Sequence, residues 1–148
     1  MQNQSNMKIF SYLLIALSLI IISCKKDKVK SSSIDEFRLC QFVNSDQRCE
    51  DNVSSFTTST PQIYAALTVN DGKDDDYLTF TWTYASDQYE IDELTVRLGD
   101  LGSGKSIQVA GSLSRPNAGW PSGSYEVKAA LTGGVSVTRT FKIGRAHV

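Results

Sequence analysis

The stretch Tyr77-Leu78-Thr79-Phe80-Thr81-Trp82-Thr83-Tyr84 alternates without a break. Leu78, Phe80, Trp82 and Tyr84 share one phase, and Thr79, Thr81 and Thr83 take the other. Successive side chains of a strand point to opposite faces, so the octapeptide reads as a strand with one apolar and one threonine face. Threonine and aromatic residues suit a pleated surface, and the apolar positions do not recur at helical spacing. One apolar face needs a second layer to cover it, which predicts a layered, all-β fold.

The pattern extends to both sides. Residues 62–69 place Ile63, Ala65, Leu67 and Val69 in one phase, and 70–76 follow as a turn rich in Asn, Asp and Gly. Residues 89–98 carry Ile91, then Leu94, Val96 and Leu98; the slip at Asp92-Glu93 predicts a bulge or a short break. After a turn over 99–104, residues 106–113 carry Ile107, Val109 and Leu113. Residues 124–131 carry Tyr125, Val127, Ala129 and Leu131, and Thr132-Gly133-Gly134 forms a hairpin turn. Val135, Val137, Phe141 and Ile143 mark the last strand, with Arg139 out of pattern, as near a sheet edge. A strand over 37–42 opens the series. Seven or eight short strands within residues 36–142 predict an antiparallel β-sandwich.

Two details give the sandwich an immunoglobulin-like character. Trp82 lies in the middle of the third strand, and Tyr125-Glu126-Val127 after a turn resembles a tyrosine corner. In antibody domains the position two residues past that Tyr holds a Cys. Here Val127 takes that place and Leu67 faces it, so the resemblance implies no inter-sheet disulfide. The run from Leu113 to Val127 contains Pro116, Gly119, Trp120, Gly123, Tyr125 and Val127. It resembles a bacterial Ig-like module with a P-x-x-G-W-x-x-G-x-Y-x-V segment. The resemblance covers the last third of the chain and concerns fold, not function.

The N-terminus differs in kind. Lys8 precedes an almost unbroken apolar run, Ile9 to Ile22, then Ser23-Cys24-Lys25-Lys26. The run is shorter than the roughly 20 residues of a permanent membrane span and suits a signal peptide. The junction resembles a bacterial lipoprotein signal of Bacteroidota type, with Ile22 in place of the usual small residue. The resemblance implies cleavage before Cys24 and lipidation of Cys24, after a signal helix over 1–23. Lys25, not Asp, follows the Cys, which by resemblance favours the outer membrane and leaves its face open. Residues 24–35 then read as the lipidated Cys with a flexible, polar tether. At the other end, Ile143-Gly144-Arg145-Ala146-His147-Val148 resembles a translated sequencing-library adapter, so residues 143–148 are expected to be foreign to the natural chain. His147 is the chain's one histidine.

The chain's 148 residues carry 15 basic and 16 acidic side chains, a net charge of −1. The charge is divided: residues 1–30 hold five Lys against Asp27, and the body is acidic. An acidic body does not attract a phosphate backbone, so no nucleic-acid partner is expected. No cofactor is expected either.

Cys40 and Cys49, beyond an export signal, are expected to form a disulfide. Trp120 with Tyr84 and Tyr89 (and Tyr64) offers a possible aromatic platform for a sugar or peptide, but the resembled module implies instead that the Trp between Gly119 and Pro121 packs under the E–F corner. Asp71, Asp74 and Asp76 (with Asp75) are a weak Ca²⁺ candidate whose spacing is not that of an EF-hand; otherwise no metal site is expected. The Gly102-Ser103-Gly104-Lys105-Ser106 run echoes the end of a phosphate loop, but no helix is expected to follow it, so no such loop is expected. A Ser-His-Asp site needs a His, and none falls within 36–142. Asp92 and Glu93, as strand neighbours, point to opposite faces. The expectation is a non-enzymatic, lipid-anchored envelope module with a binding or spacer role toward a protein or glycan partner, of open oligomeric state. The alternative is an accessory domain of a larger secreted enzyme whose catalytic part lies beyond residue 142.

Overall fold

The structure is a computed structural model that describes residues 30–102 and 104–145. The expected signal segment 1–23, Cys24 and residues 146–148 lie outside the described residues. In chain order the elements are β1 (Ser33–Cys40), β2 (Ser55–Thr57), β3 (Gln62–Asn70), β4 (Tyr77–Tyr84), β5 (Tyr89–Arg97), α1 (Leu98–Leu101), β6 (Ser106–Ser114), β7 (Gly123–Leu131) and β8 (Ser136–Gly144). They form an all-β sandwich of a three-stranded sheet, β1-β3-β6, and a five-stranded sheet, β2-β8-β7-β4-β5. In immunoglobulin lettering these are A-B-E and A′-G-F-C-C′. All pairings are antiparallel except β2 with β8.

The alternation read from the sequence sets the core. Ile63, Ala65, Leu67 and Val69 of β3 are fully buried, as are Leu78 and Phe80 of β4 and Val127 and Ala129 of β7; Trp82 is buried with them. Leu67 and Val127 occupy the places foreseen for them, and Trp82 pairs with Val127 across the sheet. Phe141 stacks on Tyr125 at 5.4 Å and meets Trp82 edge-on at 6.2 Å. Gly111 of β6 lies against Phe80 of β4, where a Cβ would stand 2.9 Å from the ring.

Four departures from the expected layout have local causes. β1 begins at Ser33, inside the expected tether, because Ile34 already pairs with Val69. Glu36 then adopts φ 52° in a bulge, so Phe37 and Leu39 return to the inner face out of step with Ile34. The strand ends at Cys40, and Phe42, expected within it, stands 76% exposed. β2 went unforeseen because three residues show no period; its one buried side chain, Phe56, meets Phe141 edge-on at 5.6 Å. Leu98 opens α1 instead of ending β5, and its N–H donates to Asp76 O. β8 runs to Gly144, past the boundary at 142, because Ile143 keeps the phase of Phe141 and is buried beside Phe56.

The phase slip of β5 is a bulge. Trp82 pairs with Asp92 and Thr83 with Glu90, leaving Ile91 as the extra residue. Arg139 does lie at a local edge, since β2 reaches only Lys142, Ile143 and Gly144 of β8. Its Nε donates to Phe37 O at 3.0 Å, and its guanidinium lies 5.9 Å from the Phe37 ring centroid.

Candidate functional site

The possible aromatic platform is not formed, and Trp120 instead packs under the corner. Trp120 is only 5% exposed and donates its indole N–H to Thr60 O at 2.6 Å. It meets Tyr125 edge-on at 6.2 Å. Tyr84 packs edge-on against Tyr125 at 5.0 Å and donates its hydroxyl to Ser122 O. Of the three named residues, Tyr89 alone is open to solvent, at 66% exposure. The cause is the corner itself. The Tyr125 hydroxyl donates to Pro121 O four residues upstream, which draws the 115–122 loop down and carries Trp120 into the core. Burial, with a smaller contribution from Tyr84, pushes the Tyr125 hydroxyl pKa up to about 12. Gly123 opens β7 at φ 156°, and a Cβ there would meet the Tyr84 hydroxyl at 2.7 Å.

The Ca²⁺ candidate is dispersed. Asp71 pairs with Lys30 at 2.9 Å, and Asp76 accepts from the Lys73 N–H within its own turn. Asp75 pairs with Arg97, which also reaches Asp100 at 3.5 Å and is thereby held further on its charged side. Asp74 lends its backbone carbonyl to Gly99 N–H. Among the described residues no group of three or more His, Cys, Asp or Glu converges on a common point. The turn uses its carboxylates to lock its own backbone and to hold α1.

Cys40 and Cys49 are joined in a disulfide, with Cα atoms 5.7 Å apart. The segment between them folds back over the outer face of the three-stranded sheet as a flap. Val43 bridges Cys49, and Asn44 Oδ1 accepts from the N–H groups of Asp46 and Arg48. Cys40, Cys49 and Ala66 form a small second core with Val43, Tyr64 and Ala110 against it.

A polar net fastens the flap. Arg48 reaches Glu36 at 3.1 Å, Thr68 donates to Gln108, and Gln108 donates to Gln47 O. A cleft of about 210 Å³ lies beneath, with Glu36, Arg38, Asn44, Arg48 and Glu50 among its walls. Both signs of charge line it, and Glu36 is already engaged by Arg48 and Thr68. The cleft therefore offers hydrogen bonding to a small polar group more readily than a paired acid and base. The sequence signalled the flap only through the two cysteines; the Glu36–Arg48 contact depends on the bulge that turns Glu36 outward.

No protein-family profile and no curated protein sequence matches the chain. Among solved structures it is similar to the alkylpurine DNA glycosylase AlkC of Pseudomonas fluorescens bound to DNA containing an abasic site analogue. That likeness has 12% sequence identity and a TM-score of 0.48, over 78% of this chain and 30% of the glycosylase. It is also similar to a β-glucosidase of Listeria innocua in complex with glucose, at 9% identity and a TM-score of 0.46, over 79% of this chain and 17% of the glucosidase. The chain thus spans less than a third of the length of either protein.

Proposed function

We propose that the protein is a lipid-tethered, non-enzymatic Ig-like module of the bacterial envelope, anchored through Cys24. Its role is to present loops or a sheet edge to a protein or glycan partner, or to act as a spacer. The observation that carries the reading is the position of Cys24 between the apolar run ending at Ile22 and the lysines 25 and 26. Several acyl chains on one residue give a stable anchor, at about 0.8 kcal/mol per buried methylene. A disulfide suits a compartment beyond the inner membrane. The first strand begins at Ser33, nine residues past Cys24, so an extended tether would span at most about 30 Å.

On this reading one end of the sandwich faces the lipid. Ser33 pairs with Asn70, which pairs with Ser106, so the turns at 71–76 and 132–135 lie at that end. The loops 58–61, 85–88 and 115–122 lie at the other, about 30 Å away for a nine-residue strand. β8 delivers Gly144 to that far end, beside Gly123 and Thr57. This placement favours, as a second reading, an accessory domain that holds further domains in line away from the membrane.

The test is metabolic labelling of the full chain with an alkyne fatty acid in a Bacteroidota host, with mass spectrometry of the mature N-terminus. The expected result is a labelled chain beginning at Cys24, and no label on Cys24→Ala. A mature N-terminus elsewhere, or label retained by Cys24→Ala, overturns the anchor.

A further inference from the structure

Among the described residues β1 and β6 bound one sheet and β2 and β5 the other, and β8 is a further edge from Ser136 to Phe141, beyond the reach of β2, where Arg139 supplies a charge. A bare edge presents unpaired N–H and C=O groups, and proteins guard it with charge, a bulge or shortness. The edges other than β6 carry such guards. β1 has a bulge and the charges of Asp35, Glu36 and Arg38. β2 has three residues. β5 has the Ile91 bulge with Glu90, Asp92 and Glu93.

β6 is different. Ser106-Ile107-Gln108-Val109-Ala110-Gly111-Ser112-Leu113-Ser114 holds no charge and no proline. Its register on β3 runs without a break from Ser106 opposite Asn70 to Ser114 opposite Gln62.

The sheets differ in width beside this edge. Gly111 sets β6 over Phe80 of β4, and β5 continues one strand further. Leu94 lies beside Phe80 in register and so shares its inward face. Yet Leu94 is 37% exposed where Phe80 is buried. Ile91 and Val96 on the same overhang are half-buried, and Asp92 lies exposed beside Trp82. The result is a slot whose wall is the free edge of β6 and whose floor is an apolar strip with one carboxylate. α1 joins β5 to β6 at the end near Arg97, and Tyr89 and Ser114 lie at the other end.

We propose that this slot receives one extended segment of another protein, paired to β6 as a fourth strand. Its inward side chains are apolar over Leu94 and Val96, and a Lys or Arg meets Asp92. Main-chain hydrogen bonds hold such a segment, and alternate side chains select it. A second copy of this chain does not fit by its own β6. Each β5 reaches past its β6 by about one strand spacing, roughly 4.8 Å, so two paired copies would drive their five-stranded sheets into one another. The slot admits a lone strand, not a strand backed by a second layer. The inference holds whether or not Cys24 carries lipid.

The test uses the full chain in detergent micelles with a nine-residue synthetic peptide that alternates valine and threonine and carries one lysine. The control peptide has proline at alternate positions. Amide exchange is followed by NMR. Exchange in β6 is expected to slow by about tenfold or more with the first peptide and not with the control, while β1 and β2 stay unchanged. Leu94→Glu, its fold checked by an unchanged unfolding midpoint, is expected to weaken binding by about tenfold or more. Asp92→Lys is expected to switch the preference to a glutamate-bearing peptide. Protection on another edge, equal protection by the control, or an unchanged charge preference overturns the proposal. So does a dimer of the chain alone that Ala110→Lys abolishes.

Discussion

Alanine at position 111 tests how closely the two sheets approach. Gly111 lies mid-strand in β6, and an added Cβ would stand 2.9 Å from Phe80 Cδ2 and 3.2 Å from two further ring atoms. Phe80 is fully buried at the centre of the core, so its ring cannot swing away into solvent. Overpacking of this kind costs about 1–3 kcal/mol. Alanine recovers about 0.5–1 kcal/mol of that by restricting the unfolded chain and suiting a strand better than glycine. The net expectation is a loss of about 0–2.5 kcal/mol, read by urea unfolding with the fluorescence of Trp82 and Trp120. The midpoint should fall with the slope unchanged. The Phe80→Leu background removes the ring atoms that the new methyl meets. There the same alanine should cost less by about 1 kcal/mol or more, as a double-mutant cycle would register. A stabilising Gly111→Ala, or additive effects in the cycle, would refute the reasoning. Either would also remove the placement of β6 over β4 on which the slot beside β5 depends.

Replacing both Cys40 and Cys49 by Ala frees the eight-residue loop between them. It is expected to lower stability by about 2.5 kcal/mol on the loop-entropy relation, measured by urea unfolding, with the far-UV spectrum retained. Tyr125→Phe removes the hydroxyl that donates to Pro121 O and leaves that carbonyl unpaired; a loss of about 1–2 kcal/mol is expected in the same assay. The same tyrosine makes stability fall at alkaline pH. Its folded pKa of about 12 lies above the ordinary value of 10.0, so the folded state holds the proton more tightly. That contribution, about 2–3 kcal/mol, is complete below pH 10 and disappears as pH rises through about 12. Unfolding midpoints measured across that range should drop in the parent chain, and Tyr125→Phe should lack this component of the drop. Trp120→Phe leaves Thr60 O without its donor. It is expected to destabilise by about 1–2 kcal/mol without altering any binding, whereas a loss of ligand affinity at constant stability would restore Trp120 to a binding surface.

Much of the fold was legible in the chain. β4 was readable residue by residue because an uninterrupted alternation has one interpretation, and β3, β6 and β7 followed by the same rule. The Cys40–Cys49 pairing was readable from count and context. The bulge in β5 was readable as a broken phase, and the structure places it at Ile91. β1 was misplaced for the same physical reason: the bulge at Glu36 scrambles its phase, and only its pairing with β3 shows that Ile34 belongs to the strand. β2 has no period to read and exists because β8 lies beside it.

The site residues show the division most clearly. Trp120, Tyr84 and Tyr89 are similar as letters, yet hydrogen bonds from two of them to Thr60 O and Ser122 O tie those two into the corner and leave the third in water. Asp71, Asp75 and Asp76 look like one acidic cluster until Lys30, Arg97 and the Lys73 amide draw them apart. Alternation along a strand is a local property of the backbone, so the sequence by itself determined which residues face inward. What each face meets depends on strands brought together from distant parts of the chain. The pairing order therefore decided alone that, among the described residues, β6 is left at a sheet edge and Leu94 stands 37% exposed.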